Sequence, residues 1–196
     1  MRSVLRWLKR GYFRFLRLVL YNKDSVHTVA LGGGLGMFLG MTPTVGLQIT
    51  ALGLLFAFFT GINRWSGDQL KFLKFNLPIA IAMTWISNPA DMIFLYFGFY
   101  ATGCLVLPGY ELLGFSEFFE LLQPMTQVQG LLGNLDHAGE YFSDLHGVFL
   151  SLGDQVLMPL CLGSLIIAIP LSFLTYFGIA AFVRNYQNKR LEHAED

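Results

Sequence analysis

Two short runs hold most of the residues that could do chemistry in an otherwise apolar chain. The first is Thr42-Pro43-Thr44-Val45-Gly46, with Gln48 close behind; the second is Ser87-Asn88-Pro89-Ala90-Asp91. They interrupt the long apolar stretches 29–59 and 76–107 near their middles. Proline removes a backbone donor and pushes its predecessor out of helical geometry, so each run predicts a broken helix. Within a membrane, free helix ends and nearby polar side chains are where substrates or ions are held. On that reading Thr42, Pro43, Thr44, Gln48, Asn76, Ser87, Asn88, Pro89 and Asp91 form a substrate or ion pathway. Asp91 is the one acid within the apolar stretches, and an intramembrane carboxylate is a functional candidate by default. The competing reading is that these groups cap broken helix ends and bond one another. Asn88 before Pro89, with Asp91 following, also fits a plain helix N-terminus.

Other chemistries find less support. His137, Glu140, Asp144 and His146 cluster in sequence, but on a helix His146 leaves the face of the other three and no HExxH pattern is present. A solvated acidic face is the expectation, with no metal and no cofactor. Gly32, Gly36 and Gly40 recur every four residues, which gives a helix a smooth face for close backbone packing; Gly46 joins them as a packing glycine. A phosphate-binding loop would need a Gly-Lys-Ser/Thr ending that is missing. Cys104 and Cys161 each stand alone in an apolar run and read as buried thiols, since metal and redox motifs need spaced or paired cysteines. Neither a nucleophile elbow nor a catalytic triad is evident. His27 has no evident partner.

The elements that must position these residues belong to a membrane. Hydrophobic residues make up 54% of the chain and charged residues 13%, with a mean hydropathy of +0.53. A soluble domain carries about 25% charged residues, so too few are present to cover a soluble surface. The formal net charge of zero conceals a segregation. Residues 1–23 hold seven Lys or Arg and no acid, whereas 109–155 hold seven acids and no Lys or Arg. Membranes sort cationic flanks to the cytoplasmic side. The start of the chain lacks the short apolar core and small-residue cleavage site of a secretory signal.

Residues 3–20 read as a basic amphipathic helix. Arg2, Arg6, Lys9, Arg10, Arg14 and Arg17 share one sector at helical spacing, opposite Leu5, Leu8, Tyr12, Phe15, Leu16 and Val19. Such a helix lies along the cytoplasmic face with its cations on anionic headgroups; nucleic-acid binding is not expected. The linker 60–75 carries Arg64, Lys71 and Lys74 against Asp68, a cytoplasmic signal. With both flanks inside, 29–59 must enter and return. Its legs of about fifteen residues reach only about 22 Å, short of the ~30 Å hydrocarbon core, which predicts a re-entrant or short helical hairpin. The stretch 76–107 then crosses as a broken helix and 156–183 crosses back. Arg184, Lys189 and Arg190 hold the C-terminus inside. The acidic segment faces outward as short amphipathic helices bearing two apolar patches, one at Phe115, Phe118, Phe119, Leu121 and Leu122, the other between Leu131 and Phe149.

The residues Gly36, Gly40, Pro43, Gly46, Gln48, Asn76, Pro78, Trp85, Asn88, Pro89, Tyr96, Tyr100 and Gly103 form a pattern. A glycine-rich helix leads to a G-x-x-P-x-x-G turn ending in Gln, followed by N-x-P, W-x-x-N-P and a Tyr/Gly-rich helix. Over roughly residues 27–107 this resembles the bacterial membrane family known as domain of unknown function 2062. The resemblance implies a membrane location and no particular activity. Asp91 departs from the neutral residue expected after N-P, so the resemblance assigns it no role.

The expected fold is an all-α integral membrane protein of the bacterial inner membrane, multi-pass with both termini cytoplasmic. Its parts are an interfacial amphipathic helix (1–24), a membrane core with two proline breaks (25–108), an acidic outer segment (109–155), a C-terminal transmembrane helix (156–184) and a cytoplasmic tail (185–196). Its expected partners are membrane lipids, with anionic headgroups at the first helix, and a second copy of itself in a homo-oligomer. Two functions fit: a small transporter or lipid-handling protein with its site where the breaks meet, or a scaffold binding partners through its glycine face. A lipid-modifying enzyme is a third reading that no residue pattern favours.

Overall fold

Proline and glycine set the helix boundaries of this chain. A computed structural model describes residue 19 and residues 24–43, 47–67, 69–86, 92–129 and 153–195. These residues contain six α-helices and no strand: α1 (Val26–Gly40), α2 (Gln48–Trp65), α3 (Leu77–Thr84), α4 (Met92–Val106), α5 (Phe115–Gln129) and α6 (Gly153–Glu195). A 3-10 turn at Lys71–Leu73 lies between α2 and α3. Helix α1 stops at Gly40 and the chain turns through Thr42 and Pro43, as the missing proline donor requires. The second stretch is likewise split, between α3 and α4.

Local signals explain the other ends. Ser25 caps α1, its hydroxyl accepting from the Thr28 N–H at 3.2 Å. Asn76 caps α3 by accepting from the Ile79 N–H at 3.0 Å, and Pro78 in the first turn removes no bond the helix would make. The N-x-P pattern is thus a helix start. Helix α2 ends with Arg64 in its last turn, where a cation meets the negative end of the helix dipole. Gly67 follows at φ 62°, a left-handed position that glycine adopts without strain. At α5 the Glu117 carboxylate reaches back to the Gly114 N–H at 3.1 Å, half of a capping box.

The chain divides into two compact units. The first contains 1–40, 47–85 and 169–196; the second contains 41–46 and 86–168. In the first unit, α1 carries five glycines in fifteen residues. Each lowers intrinsic helicity by about 0.5–1 kcal/mol relative to alanine, so packing must hold the helix. One glycine row faces α3. A Cβ on Gly32 would stand 2.5 Å from the Asn76 carbonyl oxygen, one on Gly36 would overlap the Ala80 carbonyl, and one on Gly40 would meet Thr84. Gly33 and Gly34 face Ile179, Ser172 and Tyr176 of α6. Two apolar clusters close the unit: Val19, Val29, Ile79, Met83 and Val183, and Leu52, Phe75 and Ala80. Phe75 takes edge-on contacts from Phe56 and Phe59, at centroid distances of 5.6 and 6.3 Å.

In the second unit α4 and the first part of α6 meet through reciprocal glycines. A Cβ on Gly103 would overlap the Pro159 carbonyl, and one on Gly163 the Phe99 carbonyl. Tyr100 donates to the Glu111 carbonyl at 2.9 Å and accepts from the Leu113 N–H at 3.3 Å. Its ring stacks on Phe118 at 5.0 Å. The apolar patch at the start of α5 is therefore divided: Phe118 and Leu122 are buried, while Phe115, Phe119 and Leu121 stay exposed.

One helix segment among the described residues, Gln155–Asn188, is long and apolar enough to cross a membrane. Only 33% of its most apolar window is covered by protein, and Ile169, Phe173, Leu174 and Phe177 are exposed. A soluble protein would bury such a helix. At fifteen residues each, α1 and α4 reach about 22 Å and are too short to cross alone. Helix α6 continues to Glu195 through the segment expected as a tail. Several expectations fall outside the described residues: the basic N-terminal helix with Arg2, Arg6, Lys9, Arg10, Arg14 and Arg17; Thr44, Gly46, Ser87, Asn88, Pro89 and Asp91; and the second outer patch with His137, Glu140, Asp144 and His146.

Candidate functional site

The start of α1 and the segment leading into α3 are stitched together in the first unit. The Asn76 N–H donates to the Thr28 carbonyl at 3.0 Å. The Asn76 side-chain amide donates to Asp24 Oδ2 at 2.7 Å, which settles the amide's orientation: its oxygen caps α3 and its nitrogen faces the carboxylate. Four residues earlier, His27 Nε2 lies 2.7 Å from the Phe72 carbonyl oxygen. A carbonyl can only accept, so Nε2 carries a proton. In the neutral ring Nδ1 then accepts from the Tyr176 hydroxyl, 2.8 Å away. His27, expected to lack a partner, in fact bridges α1, the 3-10 turn and α6. The reason is non-local, since its partners lie 45 and 149 positions away.

This stitching shapes a cavity of about 690 Å³, within the usual range for small-molecule sites. Phe56, Phe59, Leu73 and Phe75 supply apolar wall, Ser25, Thr28, Thr60 and Asn63 supply polar groups, and Arg64, Lys71 and Lys74 bring three cations. Asp24 is the one carboxylate in the lining. The cations are exposed, as groups that remain hydrated must be. Lys71 opens the 3-10 turn and Lys74 closes it, with its N–H on the Lys71 carbonyl at 3.1 Å. In 3-10 geometry side chains three apart eclipse, so the two ammonium stems leave on one side. Two large apolar side chains adjoin these cations in sequence: Trp65 is 91% exposed and Phe72 59%. Aromatic and cationic residues placed side by side on a surface are the pairing found at the water–lipid boundary.

The residues expected to line a pathway are distributed differently. Asn76 is buried and acts as helix cap and clip. Gln48 is buried at the first position of α2, in the first unit. Thr42 and Pro43 are buried and belong to the second unit. None of these four lines the cavity. Sequence reading treated Arg64, Lys71 and Lys74 only as a signal of sidedness. Their density in a short linker next to exposed aromatics was the available clue to a site. Among the described residues no group of three or more His, Cys, Asp or Glu side chains is placed to hold a metal ion.

A family model described as "Uncharacterized protein conserved in bacteria (DUF2062)" matches residues 5–192. The likeness thus extends well beyond residues 27–107 and takes in the whole lining of the cavity and most of α6. No curated protein and no solved structure matches the chain.

Proposed function

We propose that this chain, which belongs to the DUF2062 family of bacterial proteins, is a membrane lipid-handling protein that binds anionic headgroups in the cavity of its first unit. One observation carries the reading: three cations and one carboxylate surround a pocket whose remaining wall is largely aromatic and aliphatic. A free polar metabolite has no use for Phe56, Phe59 and Phe75, and a wholly apolar ligand has none for the cations. A lipid phosphate uses both, with its oxygens on Arg64, Lys71 and Lys74 and its first methylenes against the rings. The uncovered apolar surface of α6 supports placement in a membrane. Exposed Trp65 and Phe72 beside the cations support a cavity at headgroup depth, and the linker's cations favour the cytoplasmic leaflet.

Scaffolding through a glycine face has less support. Gly32, Gly36, Gly40, Gly103 and Gly163 all contact neighbouring helices within their own units. Binding of anionic lipid to the purified protein in phosphatidylcholine nanodiscs tests the proposal. Native mass spectrometry should find anionic lipid retained by the wild type and lost in Arg64→Gln/Lys71→Gln/Lys74→Gln. Equal retention by both proteins would remove the cavity from lipid binding. Lipid movement between vesicle leaflets that depends on Asp91 would extend the reading from binding to transport.

A further inference from the structure

We infer that the cavity selects a lipid phosphomonoester over a phosphodiester, a narrowing that rests on the headgroup reading above. Charge balance is the first ground. Arg64, Lys71 and Lys74 against Asp24 leave a formal charge of plus two. A phosphodiester headgroup such as phosphatidylglycerol carries one negative charge. A terminal phosphate, with a second pKa of about 6, carries nearly two at neutral pH. The monoester matches the lining, whereas the diester leaves a cation without an anion.

Geometry is the second ground. Lys71 and Lys74 leave the 3-10 turn on one side, and Arg64 approaches from the end of α2. Three donors from two directions suit a terminal phosphate, which presents three unesterified oxygens. A diester presents two, with a substituent on either side. The arginine fork can take two oxygens of one phosphate, and the lysines act as point charges on the third.

Preorganisation is the third. The turn carrying both lysines is held at the Phe72 carbonyl by His27 and at Asn76 by Thr28 and Asp24. The cation pair is therefore placed by the fold before any ligand arrives, which lowers the ordering cost of binding. Asp24 sets the selectivity. It offsets one cation, so the extra charge of the monoester decides between the two lipids.

The test is a competition on the full chain in phosphatidylcholine nanodiscs, with phosphatidate as the monoester, phosphatidylglycerol as the diester, and inorganic phosphate as a soluble competitor. Wild type should hold phosphatidate about tenfold more tightly than phosphatidylglycerol, one order of magnitude in Kd. Lys71→Gln/Lys74→Gln should bring the two lipids to parity, while Lys71→Arg/Lys74→Arg keeps the charge, folds as wild type and retains a preference. Equal affinity of wild type for both lipids overturns the selectivity and leaves headgroup binding standing. Binding of neither lipid overturns both. Displacement of phosphatidate by inorganic phosphate at matched concentration overturns the lipid assignment, because the apolar wall would then contribute nothing.

Discussion

Asn76 donates its side-chain amide to the Asp24 carboxylate at 2.7 Å, across 52 positions of sequence. The same amide group caps α3 through its oxygen, and its backbone N–H closes on the Thr28 carbonyl. One buried residue therefore starts a helix, ties it to α1 and fixes the last cation of the cavity, Lys74, two positions earlier.

Asn76→Ala should lower stability by about 1–2 kcal/mol through loss of the cap, with a further loss from the severed clip. A double-mutant cycle with Asp24→Ala, read by denaturant unfolding in detergent, isolates the pair. A coupling indistinguishable from zero would mean the 2.7 Å contact contributes no net stability.

Glycine substitutions should divide by neighbour and not by residue type. A Cβ on Gly36 overlaps the Ala80 carbonyl, whereas Gly53 on α2 has no atom near a built Cβ. Gly36→Ala should cost about 1–3 kcal/mol or more, because backbone cannot move aside as a side chain can. Gly53→Ala should be neutral or stabilise by about 0.5–1 kcal/mol. Thermal unfolding of both variants in one detergent gives the comparison, and equal behaviour would contradict the α1–α3 packing.

His27 should be protonated at Nε2 in the folded protein, which nitrogen chemical shifts of the imidazole report directly. His27→Phe keeps the ring volume and removes both bonds. Hydrogen exchange at residues 71–74 should then quicken while the α4 amides keep their protection. Unchanged exchange in the turn would show that the Phe72 carbonyl does not depend on His27.

Phe118 is fully buried against Tyr100, whereas neighbouring Phe119 is 40% exposed. Truncation of Phe118 to alanine should cost about 3–5 kcal/mol. The same change at Phe119 should cost much less, since exposed positions usually stay within about 0.5 kcal/mol. Reversal of that order, measured by unfolding, would reject the face of α5 that packs on α4.

Asp24→Asn leaves an amide oxygen able to accept from Asn76 and removes the one negative charge of the cavity. Binding of anionic lipid should strengthen by severalfold, with the largest gain at low salt, where exposed charges are least screened. An unaltered affinity at all salt concentrations would place Asp24 outside the field felt by the ligand.

Read without coordinates, the chain already disclosed its helical class, the two helix interruptions and the scarcity of charge. These properties are local or additive. Pro43 cannot continue a helix whatever surrounds it, Asn76 before Leu77 and Pro78 starts one, and apolar content sums along the chain. The linker cations were equally visible, but one-dimensional order gave them only a sidedness.

What the tertiary structure decided is which distant groups meet. His27 finds Tyr176 across 149 positions and Phe72 across 45, and nothing in the spacing of those residues encodes the match. The glycine row of α1 announced a close neighbour without naming α3. Close approach at Gly32 and Gly36 then set where Asn76 falls relative to Asp24, and so the walls of the cavity. Hydrogen bonds and cavities depend on separations of a few ångströms between elements far apart in sequence, and only packing fixes those separations.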